Sequence, residues 1–333
     1  MKPIIPPVDK EILVSELTKD KLIRYTRKGE NELYEVTAEN SPNVMREIGR
    51  LREITFRDAG GGTGNEIDID DYDTDPENPY RQLIVWDPHE LEIIGGYRYI
   101  CGKGIGPEKL ATSELFNYSE TFVEKYLPRT IELGRSFIQP NYQGTKTTRK
   151  GLFALDNLWD GLGALIMKYS DCNYFFGKVT MYRKYDISAR NILLNFMHKY
   201  FYDSENIVSP IKPVDIDEGN PAYNEIFDGM EYHDAYKKLS HEIKLRGEHI
   251  PPLFNSYMNL SPTMKVFGTA VNDTFGGVEE TAILVTISDI FPDKLDRYTS
   301  PLRQWSQRLM YRWWQIADTI KMRRRSRKKQ QAS

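Results

Sequence analysis

The chain has 333 residues, 40% of them hydrophobic and 12% aromatic, and its formal net charge is −3. This composition can bury one large core or two smaller ones, which excludes a chain that is disordered by default. No stretch reaches the roughly 18 uncharged apolar residues that a membrane-spanning helix needs, and the N-terminus lacks the apolar stretch of a signal peptide. We therefore expect a cytoplasmic protein without a transmembrane anchor.

The charge is distributed unevenly, which divides the chain into residues 1–296 and 297–333. The second segment contains eleven Lys and Arg residues and one acid, a charge of +10, so the first carries −13. In the second segment apolar residues recur at helical spacing from Leu302 to Ile320. A basic amphipathic helix and tail are predicted there. Such a segment favours an anionic partner, whereas the acidic body is not expected to bind nucleic acid.

Alternating and helical patterns predict a mixed α/β sheet. Strands are predicted at 32–37, 82–87, 92–100, 130–138, 173–180 and 281–288, and helices at 43–56, 151–168 and 188–200. Residues 60–79 are predicted to be a loop, because a glycine run, an acidic run and two prolines follow one another. Residues 203–252 are polar and loop-rich, with helical patches.

Cysteine and histidine spacing predicts no metal site. Cys101 and Cys172 lack the spacing of metal ligands, and we expect both to be free thiols. None of the five histidines forms a pair with the helical spacing of a zinc protease.

The acidic run contains Asp68, Asp70 and Asp73 directly after the glycines. These carboxylates could hold a cation, bind a substrate ammonium or pair with nearby arginines. The pattern of a calcium loop is absent, and a solvated acidic loop is the simplest alternative.

Glu132 is the one acidic residue in the predicted strand 130–138, and a carboxylate on a buried strand must be paired or have a shifted pKa. It is therefore a candidate general base. Arg135 would lie on the opposite face of a regular strand unless Gly134 marks a bulge. The alternative is an outward-facing ion pair of Glu132 with Arg135.

Residues 144–151 are the best candidate for an anion site. They follow a predicted strand and open a predicted helix, where backbone amides and the helix dipole favour a phosphate. The same glycine and threonine content is also typical of an ordinary loop.

Several motifs, in order along residues 32–290, resemble those of known acyltransferases. They are Arg52-x-x-x-Phe56, Asp68-x-Asp70-x-Tyr72-Asp73, Tyr80, Ile94-Gly95-Gly96-Tyr97-Arg98 and Glu132-Leu133-Gly134-Arg135-Ser136-Phe137. This set resembles bacterial acyl-homoserine-lactone synthases, which are GNAT-like. The similarity to the ornithine-lipid and glycine-lipid N-acyltransferases, also called hemolysin-like, is closer, because residues 157–163 and 250–258 resemble motifs of that family.

The resemblance implies a GNAT-like mixed central sheet flanked by helices. It implies an enzyme that moves a long, often 3-hydroxylated acyl chain from acyl carrier protein to the α-amine of an amino acid. No cofactor is expected beyond the phosphopantetheine thioester of the carrier, whose arm would lie in a split between two central strands, near residues 132–137 and 139–151. Residues 143–151 lack the acetyl-CoA signature of the family, which fits a carrier-protein donor. Overall resemblance favours glycine as acceptor, with ornithine next, and an O-acyltransferase as a partner enzyme.

The candidate site residues follow from these motifs. In this hypothesis Glu132 takes the proton of the acceptor amine, and a backbone N–H near Ser136 or Phe137 binds the oxyanion. Arg135, with Arg52 or Arg98, supplies positive charge to the acceptor carboxylate or to the acidic loop. The predicted catalytic residues are Glu132, Arg135 and Ser136, and the predicted substrate-binding residues are Arg52, Phe56, Asp68, Asp70, Asp73, Arg98 and Phe137.

The C-terminal segment is expected to dock on anionic lipid, which would place the enzyme peripherally on the inner membrane. It could instead pack on the core or remain a solubilising tail. Other functions stay open: acyl-homoserine-lactone synthesis, acetyl transfer from acetyl-CoA, or a peripheral membrane adaptor without enzymatic activity.

Overall fold

The computed structural model describes residues 1–143, 153–216, 223 and 225–299. Within these ranges the α-helices are α1 (Lys10–Glu16), α2 (Pro42–Ala59), α3 (Asp71–Thr74), α4 (Ala154–Lys168), α5 (Ile187–Phe201), α6 (Tyr232–Leu245), α7 (Pro252–Met258) and α8 (Pro292–Thr299). Single turns of 3₁₀-helix include Pro107–Lys109 and Ala111–Glu114, and Phe122–Tyr126 is a π-helix.

A mixed central sheet forms the middle layer. The strands are β1 (Leu22–Tyr25), β2 (Glu32–Val36), β3 (Arg81–Asp87), β4 (Glu92–Cys101), β5 (Phe116–Tyr118), β6 (Thr130–Ile138), β7 (Tyr174–Met181), β8 (Val208–Pro210), β9 (Lys265–Asn272) and β10 (Val278–Thr286). Eight of them pair in the order β1-β2-β3-β4-β6-β7-β10-β9, and β5 pairs with β8 separately. The β6 and β7 pair is parallel, and the other neighbours are antiparallel.

Alternating side chains divide the core between the two faces of the sheet. Along β3, Leu83 and Val85 belong to the apolar cluster that α4 and α5 cover. Ile84 and Trp86 point the other way and pack with α2. The period of two along a strand produces this division, so each helix layer buries one face.

The parallel strands β6 and β7 pair over only part of their length. Their register runs from Thr130 opposite Tyr174 to Leu133 opposite Gly177, and pairing ends there although both strands continue. A Cβ on Gly177 would lie 2.5 Å from the Leu133 carbonyl oxygen, so this last paired position requires glycine. Beyond it the sheet contains a split between β6 and β7.

A bulge in β6 begins at the same point. Gly134 lies opposite Arg98 and Phe137 opposite Gly96, so Arg135 and Ser136 share one position on β4. Arg135 has a φ of 50°, in the left-handed region that non-glycine residues rarely adopt. The sequence predicts Arg135 on the opposite face of a regular strand unless a bulge occurs at Gly134. That bulge is present, and it turns the Arg135 side chain to the face of the sheet that α2 covers.

The predicted fold class is confirmed. Most of the predicted strands and helices are present, with boundaries shifted by a few residues. The sequence patterns did not indicate the helices α1, α7 and α8, the strands β1, β5, β8 and β9, or the helical turns between β4 and β6. The predicted loop 60–79 contains α3. Met1–Tyr298 form one compact unit. The anion site at 144–151, and all but the first residues of the basic segment 297–333, lie outside the described residues.

Two further expectations concern the cysteines and membrane crossing. Cys101 and Cys172 are free thiols, with their sulfur atoms 3.5 Å apart. Within the described ranges, none of the helices has both the length and the apolar character to cross a bilayer.

Candidate active site

Three arginines and three aspartates form a buried ion-pair network on the α2 face of the sheet. We call it the Arg–Asp network, and its members are Arg52, Arg98, Arg135, Asp68, Asp70 and Asp73. Arg52 Nη1 lies 3.0 Å from Asp73 Oδ2, and both side chains are fully buried. A second guanidinium nitrogen of Arg52 donates to Gln82 Oε1. The pair therefore ties α2 to α3 and β3.

The other two arginines reach the same aspartates from the central strands. Arg98 Nη1 lies 2.6 Å from Asp70 Oδ1 and 3.1 Å from Asp73 Oδ2. Arg135 Nε lies 2.9 Å from Asp68 Oδ2, and its Nη2 lies 3.5 Å from Asp70 Oδ2. Charge-assisted bonds of this kind fix both partners in orientation.

Local hydrogen bonds explain why the acidic run takes this shape. Asp70 caps α3 by accepting from the Asp73 backbone N–H, while Asp73 accepts from the Asp70 N–H, which is a capping box. The Asp68 N–H donates to the Gly49 carbonyl in α2 at 3.0 Å. A Cβ on Gly49 would lie 2.7 Å from Ile69, so glycine permits the close approach.

The electrostatics of the network favour the charged forms of Asp73 and Arg98. Burial alone would raise the pKa of Asp73, but the Arg52 and Arg98 guanidiniums outweigh it and hold that pKa well below its usual range. Burial lowers the pKa of Arg98, and the charges of Asp73 and Asp70 more than reverse the change. The interpretation of a solvated acidic loop is wrong, because Asp68 and Asp73 are fully buried; of the roles considered, pairing with arginines is the one observed.

Glu132 lies apart from this network, in a polar socket of its own. Its side chain is 1% exposed, and its oxygens accept from the Ala111 and Thr112 backbone N–H groups at 3.0 Å each. The Tyr80 and Thr112 hydroxyls also donate to it. Burial, and then the Glu132 charge, raise the pKa of Tyr80. An outward-facing Glu132–Arg135 ion pair is therefore wrong.

A first cavity, 130 Å³ in volume, passes through the split between β6 and β7. We call it the apolar cavity. On one face it is lined by α4, through Leu155 and Trp159, and on the other by Phe56 and Phe275, whose rings meet edge to face at 5.2 Å. Ser136 lies on its wall at the bulge.

A second cavity, 620 Å³ in volume, opens on the α2 face, and we call it the polar cavity. Asp70, Arg98, Ala111 and Glu114 are among its lining residues. Three residues line both cavities: Arg135, Lys178 and Phe275. The two cavities therefore meet where β6 and β7 separate, with one apolar side and one charged side.

The structure brings five of the ten predicted site residues to this junction: Asp70, Arg98 and Arg135 line the polar cavity, and Phe56 and Ser136 line the apolar cavity. Arg52, Asp68 and Asp73 line neither cavity and contact the lining members of the Arg–Asp network or the strands and helices around them. Glu132 lines neither, because Ala111, whose N–H it binds, lies between it and the polar cavity. Phe137 is 3% exposed in the apolar cluster beneath α2 and also lines neither.

Two site residues were missed by the sequence analysis, Lys178 and Glu280. They form a buried ion pair between β7 and β10 and line the apolar cavity. For Lys178 the available signal was the one that identified Glu132, a lone charge within an otherwise apolar strand. Glu280 follows another acid, Glu279, and lies just before the predicted strand 281–288, so the sequence offered no such signal for it. Across the described ranges no three His, Cys, Asp or Glu side chains are arranged to hold a metal ion.

Comparisons with known proteins place these observations in a family. The sequence profile of the acetyltransferase (GNAT) domain matches residues 51–151. A protein of Phocaeicola vulgatus named glycine N(alpha)-acyltransferase is 51% identical over 303 residues, 90% of this chain and 93% of that protein. A protein of the same name from Bacteroides thetaiotaomicron is 52% identical over 303 residues, 90% of each.

One solved structure, the crystal structure of the AHL synthase LasI, is also similar. The match covers 40% of this chain and 64% of that chain at 16% identity, with a TM-score of 0.26.

The buried pairing of Arg52 predicts a large stability cost for its removal. Arg52→Met leaves Asp73 with one cation fewer in a dry environment, and we expect the free energy of unfolding to fall by about 3–5 kcal/mol. Arg46→Met is the matched control, because Arg46 is exposed on the same helix, and it should change stability by less than about 0.5 kcal/mol. Urea unfolding at pH 7 measures both, and equal effects would contradict the network's structural role.

The lowered pKa of Asp73 predicts a loss of stability in acid. The folded state holds this carboxylate ionised at pH values where the unfolded chain, with a pKa near 3.8, already binds a proton. Its contribution is complete above that pKa and declines as pH falls below about 4. Urea midpoints between pH 7 and 3 should therefore fall more steeply for wild type than for Asp73→Asn. Asp171→Asn, at an 81% exposed side chain, should keep the wild-type slope.

Proposed function

The chain belongs to the glycine N(alpha)-acyltransferase family and is an N-acyltransferase with a GNAT domain; from this premise we propose that it transfers a long acyl chain from a thioester to the α-amine of glycine. The observation that carries the proposal is the junction of the apolar and polar cavities at the split. An acyl chain fits the apolar side, and a charged amino acid fits the polar side.

The donor is proposed to be an acyl carrier protein with its phosphopantetheine arm in the split. Beyond Leu133 and Gly177 the facing edges of β6 and β7 no longer pair with each other. Their free N–H and C=O groups can bind the amides of an extended arm, as a strand would. The absence of the acetyl-CoA signature in residues 143–151 supports a carrier protein over acetyl-CoA.

In the proposed reaction the acceptor's neutral amine attacks the thioester carbonyl carbon. The carbon–nitrogen bond forms, the carbon–sulfur bond breaks, the thiolate leaves on the carrier arm, and the amine loses a proton. A backbone N–H at the bulge near Ser136 is the proposed donor to the oxyanion, because the bulge frees it from the ladder with β4. Arg135, at the same bulge, adds positive charge beside the reacting carbonyl.

The role of Glu132 as proton acceptor stays a prediction, and it requires a path for the proton from the acceptor amine to the buried carboxylate. Its carboxylate lies behind Ala111 and receives four hydrogen bonds, so a proton must reach it through an intervening group or water. The Tyr80 hydroxyl already donates to it. Glu132 also holds the 3₁₀ turn Ala111–Glu114, part of the polar cavity wall, and through this contact it positions the acceptor side.

The product would be an N-acyl amino acid, which is amphiphilic, and we propose that it enters membrane lipid. The basic amphipathic segment 297–333 supports delivery at an anionic membrane surface. A second acyltransferase acting on the hydroxyl of a 3-hydroxyacyl chain is the partner this chemistry calls for.

Product analysis tests the proposal directly. Purified enzyme is incubated with 3-hydroxypalmitoyl carrier protein and equal amounts of glycine, serine and ornithine, and products are identified by mass spectrometry. We expect N-(3-hydroxypalmitoyl)glycine as the dominant product. A dominant ornithine product would change the acceptor assignment to ornithine. An intact carrier-protein thioester, with acetyl-CoA consumed in a parallel incubation that contains it as the donor, would refute the donor assignment.

The apolar cavity predicts a variant with altered chain-length preference. Leu155→Trp places an indole in the cavity, so turnover with a 16-carbon donor should fall about tenfold relative to a 4-carbon donor. Leu245→Trp is the control, since Leu245 is 66% exposed on α6. The readout is the ratio of kcat/KM for the two donors. An unchanged ratio in Leu155→Trp would show that the acyl chain lies elsewhere.

A further inference from the structure

Lys178 occupies a special position on β7. It directly follows Gly177, the last residue of β7 that pairs with β6, so it stands at the rim of the split. It lines both the apolar and the polar cavity. Its side chain is 10% exposed, and none of the motifs in the sequence contains it.

Glu280 holds the Lys178 ammonium from the neighbouring strand. The two side chains form a short ion pair between β7 and β10. Glu280 also accepts from Thr180 Oγ1 at 3.2 Å and from Asn272 Nδ2 at 3.0 Å, so its carboxylate is fixed from three directions. Burial raises the pKa of Glu280, but the Lys178 charge and hydrogen bond outweigh it, and the net pKa is lowered.

The Lys178 ammonium has fewer carboxylate partners than the two arginines that line the polar cavity. Arg98 and Arg135 each form ion pairs with two aspartates, whereas Lys178 forms one with Glu280 among the described residues. An ammonium has three N–H donors, and the contacts with described residues engage one of them, through Glu280. A buried donor at a cavity wall gains stability when a ligand oxygen binds it.

The size of an α-amino acid determines where its carboxylate can be bound. One carbon atom separates the amine from the carboxylate, so when the amine attacks a thioester in the split, the carboxylate must lie at the rim. A cation deeper in the polar cavity could not reach it. Two cations line both cavities at this rim, Arg135 on the β6 bulge and Lys178 on the opposite strand. Arg135 is already paired with Asp68 and Asp70, which leaves Lys178 as the better candidate.

We propose that the Lys178 ammonium binds the carboxylate of the acceptor amino acid, and that Glu280 positions this ammonium at the rim of the split. The inference rests on the proposed function and adds the group that recognises the acceptor. It makes Lys178 a binding residue and Glu280 a positioning residue. Selection of an α-amino acid over a simple amine then depends on one ion pair.

The test compares wild type with the double variant Lys178→Met/Glu280→Gln, because Lys178→Met alone would leave Glu280 buried and unpaired. Glu280→Gln alone keeps the ammonium but removes the group that positions it, and it should give a KM for glycine between those of wild type and the double variant. Acceptors are glycine and glycinamide, which share the amine but differ in the carboxylate. Steady-state kcat and KM are measured with a fixed, saturating acyl donor.

Loss of Lys178 should raise the KM for glycine by about tenfold or more, the scale of a lost charge-assisted hydrogen bond, with kcat/KM for glycinamide changed less than about threefold. Lys199→Met, at an exposed ion pair with Asp228, should match wild type with both acceptors. An equal fall in kcat for both acceptors, or an unchanged KM for glycine, would overturn the assignment. Wild type that acylates neither acceptor would instead refute the proposed function.

Discussion

The neutralisation of two buried arginines and one nearly buried arginine by three aspartates is the interaction on which the rest of the site depends. An unpaired guanidinium in the dry layer beneath α2 would be strongly unfavourable, so the acidic run must fold against α2, β4 and β6. The capping box of α3 presents Asp70 and Asp73 in the required orientation. The network thereby fixes one wall of the polar cavity before any substrate is present.

The bulge in β6 depends on the same network. A non-glycine residue at a φ of 50° costs about 1–3 kcal/mol, and Arg135 offsets this through its ion pairs with Asp68 and Asp70 and its position over the Phe275 ring at 4.3 Å. In return, the bulge ends the regular ladder with β4 where pairing with β7 also stops. Strain, ion pairing and the split are therefore parts of one local arrangement.

Patterns along the chain predicted the central strands β2, β3, β4, β6, β7 and β10 and the helices α2, α4 and α5, because periodicity is a local property. Motifs of the family that the sequence resembles indicated Arg52, Arg98, Arg135 and the aspartates. The residues that each of these side chains contacts in the folded protein could not be predicted in the same way. Whether Arg135 faced α2 depended on the bulge, and the socket of Glu132 is built by Tyr80 and by a turn between β4 and β6 without periodic pattern. Lys178 and Glu280 meet only through the β7–β10 register, which joins residues about one hundred positions apart.

The two cavities meet only at the split, and this has a consequence for how such an enzyme can diverge. Residues that line the apolar cavity come largely from α4 and its face of the sheet, whereas those that line the polar cavity come largely from the α3 region and β9. Substitutions more than about 10 Å apart with no shared partner usually combine additively. The fold can therefore change the lining of one cavity while retaining that of the other, and among the described residues only Arg135, Lys178 and Phe275, common to both cavities, constrain the two together.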